Sequence, residues 1–157
     1  MSYIPYSVNN RVILKDIKSS GTNGGAFSSG AWRTRDLNTT ENSQTWCSLS
    51  SNQFTLSSGK YRIKVKAPAL KVSAHKSKLR NITDSTDDLI GASEYNDASS
   101  SAATTSSFIE GIIEISSTKT FEIQHRCYTS NNTNGFGPST GFGVDEIFTQ
   151  VEIEKIG

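Results

Sequence analysis

The stretch "YRIKVKA" (Tyr61–Ala67) decides the fold. In an extended chain Tyr61, Ile63, Val65 and Ala67 fall on one side, and Arg62, Lys64 and Lys66 on the other. A period of two is the signature of a strand with one buried and one wet face. The same device recurs outward in both directions. "RVILKDI" (Arg11–Ile17) is mostly apolar, and "FIEGIIEI" (Phe108–Ile115) and "TFEIQHRCY" (Thr120–Tyr128) alternate. "EIFTQVEIEKI" (Glu146–Ile156) places Ile147, Thr149, Val151, Ile153 and Lys155 on one side.

Turn-forming segments separate these runs: Ser19–Gly30, Ser57–Lys60, Asn96–Ser107 and Ser130–Gly143. They are rich in Gly, Ser and Asn, the residues that tolerate tight turns. No window of ten or more residues carries an apolar stripe at helical spacing. "SEYNDASSSAATTSSF" lacks large apolar groups at that spacing and reads as a long loop. The pattern predicts nine or ten strands in an all-β, two-sheet antiparallel sandwich. Apolar residues make up 34% of the 157, which suits a turn-rich β domain. We expect one domain over residues 1–157 with a short N-terminal arm over about 1–10.

The net charge of +1 favours neither nucleic acid nor acidic partners globally. The start, "MSYIPYSVNNR", has no basic segment followed by an apolar run, and no apolar run reaches membrane-spanning length. The expectation is a soluble chain made in a cytoplasm, without membrane insertion. There Cys47 and Cys127 begin as thiols, and whether they pair is left open. Three Asn-x-Ser/Thr matches, at Asn38, Asn81 and Asn131, read as turn residues. Charge is nevertheless segregated. Eight basic and no acidic residues lie between Lys60 and Arg80, and eight acidic residues and one lysine between Asp84 and Glu122. Solvated strand faces that balance each other are the simplest reading. Complementary patches between subunits, or a basic surface for an anionic glycan or capsid partner, is the other.

Candidate chemistry is sparse. His75, His125, Cys47 and Cys127 lack the closely spaced pairs of a structural zinc site. "DSTDD" (Asp84–Asp88) lacks the calcium-loop spacing. His125 and Cys127 share a strand face about 7 Å apart, too far for a nucleophile and its base. Glu110 and Glu114 lie on one polar strand face, where solvated acids are expected. No G-x-S-x-G elbow occurs, and "GFGPSTGFG" (Gly135–Gly143) lacks the lysine and helix of a phosphate loop. We therefore expect no catalytic residue, no metal, no cofactor and no nucleic-acid partner. Trp32 and Trp46 read as packing residues.

Several segments in order resemble a known family. They are "GAWRTRDLNT" (Gly30–Thr39), "FTLSSGKYRIKVKAPA" (Phe54–Ala69), "HKSKLRNITD" (His75–Asp84), "GASEY" (Gly91–Tyr95), "SFIEGIIEISSTKTFEIQHRC" (Ser107–Cys127) and "GFGVDEIFTQVEIEKI" (Gly141–Ile156). Together they resemble the tumour-necrosis-factor/complement-like jelly-roll domains of tailed bacteriophage structural proteins, over roughly Arg11 to Ile156. The motifs are strand patterns, not catalytic signatures. The resemblance implies a homotrimeric jelly roll about a three-fold axis and a virion role. That role is capsid decoration or cement, or a tail-fibre head that binds a host receptor. No shaft precedes the domain, and the Met1 start favours a separate short subunit, hence decoration. The implied partners are other copies of the chain, capsid or tail proteins, and a host-surface glycan or protein. The implied location is the virion, assembled in the host cytoplasm. A carbohydrate-binding module or glycan-active enzyme is the alternative.

Within that reading Tyr61, Phe121, Ile123, His125 and Phe148 are candidates for the trimer interface or the core. Asn23, Phe27, Asn134, Phe136 and Phe142 are candidates for surface-binding loops. Strand alternation splits His125 and Cys127 from Arg126. His125 is expected to be hydrogen-bonded within the fold, and Arg126 to pair with an acidic strand residue.

Overall fold

The computed structural model describes residues 10–157. The arm expected over about 1–10 lies outside them except for Asn10, whose carbonyl accepts the Lys155 amide. The described residues form eleven strands and no helix. They are β1 (Arg11–Lys18), β2 (Arg33–Thr34), β3 (Thr39–Glu41), β4 (Cys47–Ser50), β5 (Gln53–Leu56), β6 (Gly59–Ala69), β7 (Ser73–Asn81), β8 (Thr86–Asn96), β9 (Thr105–Ile115), β10 (Lys119–Cys127) and β11 (Glu146–Lys155). The expected nine or ten strands become eleven because β2, β3 and β4 are too short to show alternation. The long loop expected from Asn96 is shorter than predicted, since β8 runs to Asn96 and β9 begins at Thr105.

One sheet has the order β3-β1-β11-β6-β9, the other β4-β5-β10-β7-β8, and β2 pairs with β10. All pairings are antiparallel. The chain crosses between the sheets repeatedly, which gives the jelly-roll sandwich expected from the strand pattern. Local chemistry sets the tight turns. Ser51 and Asn52 both have positive φ between the paired Ser50 and Gln53, a two-residue primed turn that matches strand twist.

The inward rows of both sheets make the core. Tyr61, Ile63 and Val65 of β6, Ile109 of β9, and Val151 and Ile153 of β11 face Phe54, Leu79, Phe121 and Ile123. Phe54 stacks on Phe121 at 5.7 Å between ring centroids, and Trp46 packs against Tyr61 at 5.3 Å. Each such large side chain contributes about 1.5–3 kcal/mol when fully buried. A second, smaller cluster at one end joins Phe27, Ala69, Val72, Cys127 and Phe136.

That second cluster corrects two expectations. Phe27 (0% exposed) and Phe136 (8%) are not on the surface. Loops Ser19–Gly30 and Ser130–Gly143 fold against each other, with a Phe27–Asn131 bridge and Phe27 against Phe136 at 4.7 Å. Glycine-rich composition says nothing of whether a loop's aromatics point in or out.

Candidate functional site

Two faces of the sandwich carry features beyond packing. The first is the outward face of the five-stranded sheet, built by the polar positions of the alternating strands. Register aligns it in rows. Ile13 lies opposite Glu152, Glu152 opposite Lys64, and Lys64 opposite Glu110. Arg11 lies opposite Glu154, Glu154 opposite Arg62, and Arg62 opposite Ile112. Lys60 lies opposite Glu114. The basic run of β6 is thus flanked on both sides by the acids of β9 and β11. Such cross-strand opposite charges stabilise a sheet modestly. Arg11 reaches Glu152 at 3.2 Å and Glu154 at 3.7 Å. Glu110 and Glu114 therefore sit among cations on an exposed face. At the β9 ends of their rows, Ile112 (48% exposed) opposite Arg62 and Phe108 (54%) opposite Lys66 project outward. Ile13, Lys15, Lys64, Lys66, Phe108 and Glu110 line a depression of about 410 Å³ there.

The second feature is a buried polar network at the Phe27 end. Arg35, fully buried, donates to Thr149 Oγ1 (2.7 Å), Pro68 O (2.9 Å) and Phe136 O (2.9 Å). Its guanidinium also lies 3.9 Å from the centroid of the Phe136 ring. Among the described residues it makes no ion pair with a carboxylate, and burial lowers its pKa to about 9. His75 Nδ1 and His125 Nε2 are 2.9 Å apart, and His75 Nε2 meets Thr105 Oγ1 at 2.7 Å. Two rings sharing one hydrogen bond hold one proton between those nitrogens, so at least one acts as neutral acceptor. Burial, then the Arg35 charge, lowers His75 to about 4; burial likewise pushes His125 well below its usual value. The pair is neutral at pH 7. His125 is hydrogen-bonded inside the fold, to a partner that sequence spacing did not reveal. The β7–β10 register brings His75 opposite Cys127 and Ser77 opposite His125, which sets the two rings diagonally.

The other candidates fall as follows. Tyr61, Phe121 and Ile123 are fully buried between the sheets. Phe148 is on the outward side of β11 yet only 5% exposed, because Gly137 and Gly24 pack against its ring. Asn23 Oδ1 accepts the Ser139 amide and Asn134 Oδ1 accepts from the Asn131 side chain, so both amides staple loops. Phe142 is 81% exposed. Glu146 secures the same loops. Its carboxylate accepts the amides of Gly21 (2.8 Å), Thr140 (3.0 Å) and Gly141 (3.0 Å) and the Thr140 hydroxyl (2.8 Å). Those amides, Gly141 foremost, hold its pKa down at about 2.

Nucleophilic chemistry finds no support in the thiols. Burial raises Cys47 to about 12 and Cys127 to about 11, so both are protonated near neutrality. Both are free, Cys47 beside the main core and Cys127 in the second cluster. Among the described residues no three His, Cys, Asp or Glu side chains converge as metal ligands do.

No family model matches the chain, and no curated protein matches it in sequence. Solved structures do match in shape. The globular domain of zebrafish complement 1qA superposes with a TM-score of 0.53 at 10% identity, covering 95% of this chain and 98% of that one. The fold is a tumour-necrosis-factor/complement-like jelly roll. Murine APRIL, in its pH 5.0 crystal structure, gives 0.52 at 6% identity, with 92% and 97% covered. Identities this low carry the architecture alone.

One expectation is corrected at the site. Arg126 pairs with no carboxylate among the described residues; it is exposed, beside Lys76 in the β7–β10 register. The acids nearest in sequence are engaged elsewhere: Glu122 accepts from Gln53 and Gln124.

Proposed function

We propose that the chain is a non-catalytic structural and binding domain. It assembles as a homotrimer through the outward face of its five-stranded sheet. The observation that carries this is the exposed pair Phe108 and Ile112 on edge strand β9, set in a face most of whose charges are matched across strands. A wholly solvated face has no use for two large apolar groups, and association removes them from water at about 25 cal/mol per Å². Cyclic symmetry reuses one patch three times and covers the β9 edge. The jelly-roll fold and the sequence resemblance support the same assembly.

The resemblance also supports a place on the virion surface, as capsid decoration or as the receptor-binding head of a tail fibre. A trimer presents three copies of each binding surface to one target. Linkage then makes the second and third contacts effectively intramolecular, so weak contacts suffice. Sedimentation of the Phe108→Glu/Ile112→Lys double variant tests the assembly. The expected result is a folded monomer at concentrations where the native chain is trimeric; an unchanged mass contradicts the interface. Gold-labelled antibody against the chain, applied to intact particles, tests the placement, and its expected result is regular surface labelling.

A further inference from the structure

We infer that the outward face of the six-stranded sheet, on the side away from the proposed trimer interface, binds a saccharide bearing a carboxylate. The inference deepens the reading of the chain as a binding domain and names its ligand class.

The site is a groove of about 340 Å³ at the Tyr128 end of β7, β8 and β10. That volume is at the small end of ligand pockets and fits a sugar ring or two. Its plan follows from register. Ala74 of β7 lies opposite Tyr95 of β8, and the Tyr128 amide donates to the Ala74 carbonyl. A methyl floor is thus flanked by two tyrosines, 66% and 81% exposed. In the next row Lys76 lies opposite Ser93 on one side and Arg126 on the other. Trp32, which leads into β2 beside β10, closes the end of the groove. The Lys78 ammonium sits 4.1 Å from the centroid of the Trp32 ring and also pairs with Asp87 at 2.9 Å. That braces the indole against the sheet.

The charges point to the ligand. Lys76 and Arg126 are directly opposed cations on neighbouring strands, an arrangement that disfavours the free sheet. Among the described residues Lys76 Nζ bonds to Ser93 Oγ alone, at 3.1 Å, and neither cation has an ion pair. The other basic residue on β7's outward row beyond Lys78, Arg80, shares Asp87 with it, at 2.8 Å. A carboxylate between Lys76 and Arg126 would relieve the repulsion, and Arg126 offers a planar fork for it. Glu94, the one acid lining the groove, lies opposite His75 in the inward row, so its carboxylate is turned away from Lys76 and Arg126 and does not neutralise them. Aromatic faces for a sugar ring, two cations for one carboxylate and the Ser93 hydroxyl for a sugar hydroxyl together describe an acidic saccharide better than a nucleic acid or a phosphate.

Titration calorimetry with trigalacturonate at low salt tests this, with its methyl ester as the uncharged control. Native protein should bind the acid at least tenfold more tightly than the ester. Lys76→Gln/Arg126→Gln should lose at least tenfold in affinity for the acid and nothing for the ester. Tyr128→Ala should weaken both. All three side chains reach solvent, and light scattering on the same samples should show an unchanged mass. Equal binding of acid and ester, an undiminished double variant, or no binding of either saccharide overturns the site. Displacement of the saccharide by an equal concentration of short polyphosphate also overturns it, reducing the groove to an anion patch. Absence of saccharide binding by a native chain that is still trimeric rejects this inference while leaving the assembly standing.

Discussion

Two residue-scale devices make the fold sensitive to acid, in separate pH windows. His75 and His125 are the chain's two histidines. Their folded pKa values lie below the ordinary 6.5, so the unfolded chain takes up protons that the folded chain refuses. Their stabilising effect is whole above about pH 6.5 and falls as the pH drops toward 4. Urea unfolding at pH 7.5 and pH 5 should show a loss on the order of 1–2 kcal/mol per ring that stays neutral. A His75→Gln variant should show a smaller pH dependence; equal slopes in both proteins would contradict the assignment. Glu146 acts lower. Its depressed carboxylate stabilises the loops fully above about pH 4.5, and the effect is lost as the pH falls through about 2. Glu146→Gln should therefore raise amide exchange at Gly21 and Gly141 at neutral pH. Neither device was legible in the sequence. Alternation placed His125 on an inward face, but the His75 partner depends on strand pairing, and Glu146 depends on where two loops return.

At the scale of elements, the long strands were readable because one face of each meets the core and the other meets water. β6 is the clearest case. β2, β3 and β4, two to four residues each, carry no period and emerge only as edges laid against longer strands. The loops were read correctly as turns, but of their three aromatics expected at the surface Phe142 is exposed while Phe27 and Phe136 are buried. The reason is visible at Gly137. Its φ is +136°, a conformation that favours glycine, and an added Cβ would lie 2.5 Å from the Phe148 ring. The glycines of this loop therefore let the chain pack down over Phe148 while Phe136 turns inward. Gly137→Ala should destabilise by roughly 1–3 kcal/mol in chemical denaturation, from backbone strain and displaced packing together. An unchanged midpoint would mean that the loop is not part of the cooperative fold.

At the scale of the whole molecule, the two sheets present different outward faces. One carries matched charges and two exposed apolar groups on β9. The other carries unmatched cations among aromatics near the end of β10. The sequence showed a basic segment and an acidic segment, read most simply as strand faces that balance each other and otherwise as complementary patches between subunits. Folding interleaves much of that charge within one sheet, as the simpler reading expected, because β6 is inserted between β11 and β9. Among the cations it leaves over, the opposed pair Lys76 and Arg126 could be found only once β7 and β10 were known to be neighbours. The account rests above all on assembly through the five-stranded sheet. Multi-angle light scattering of the native chain across a dilution series tests it most directly. The predicted result is three times the 17.1 kDa chain mass, persisting into the low micromolar range. A single-chain mass throughout would contradict it.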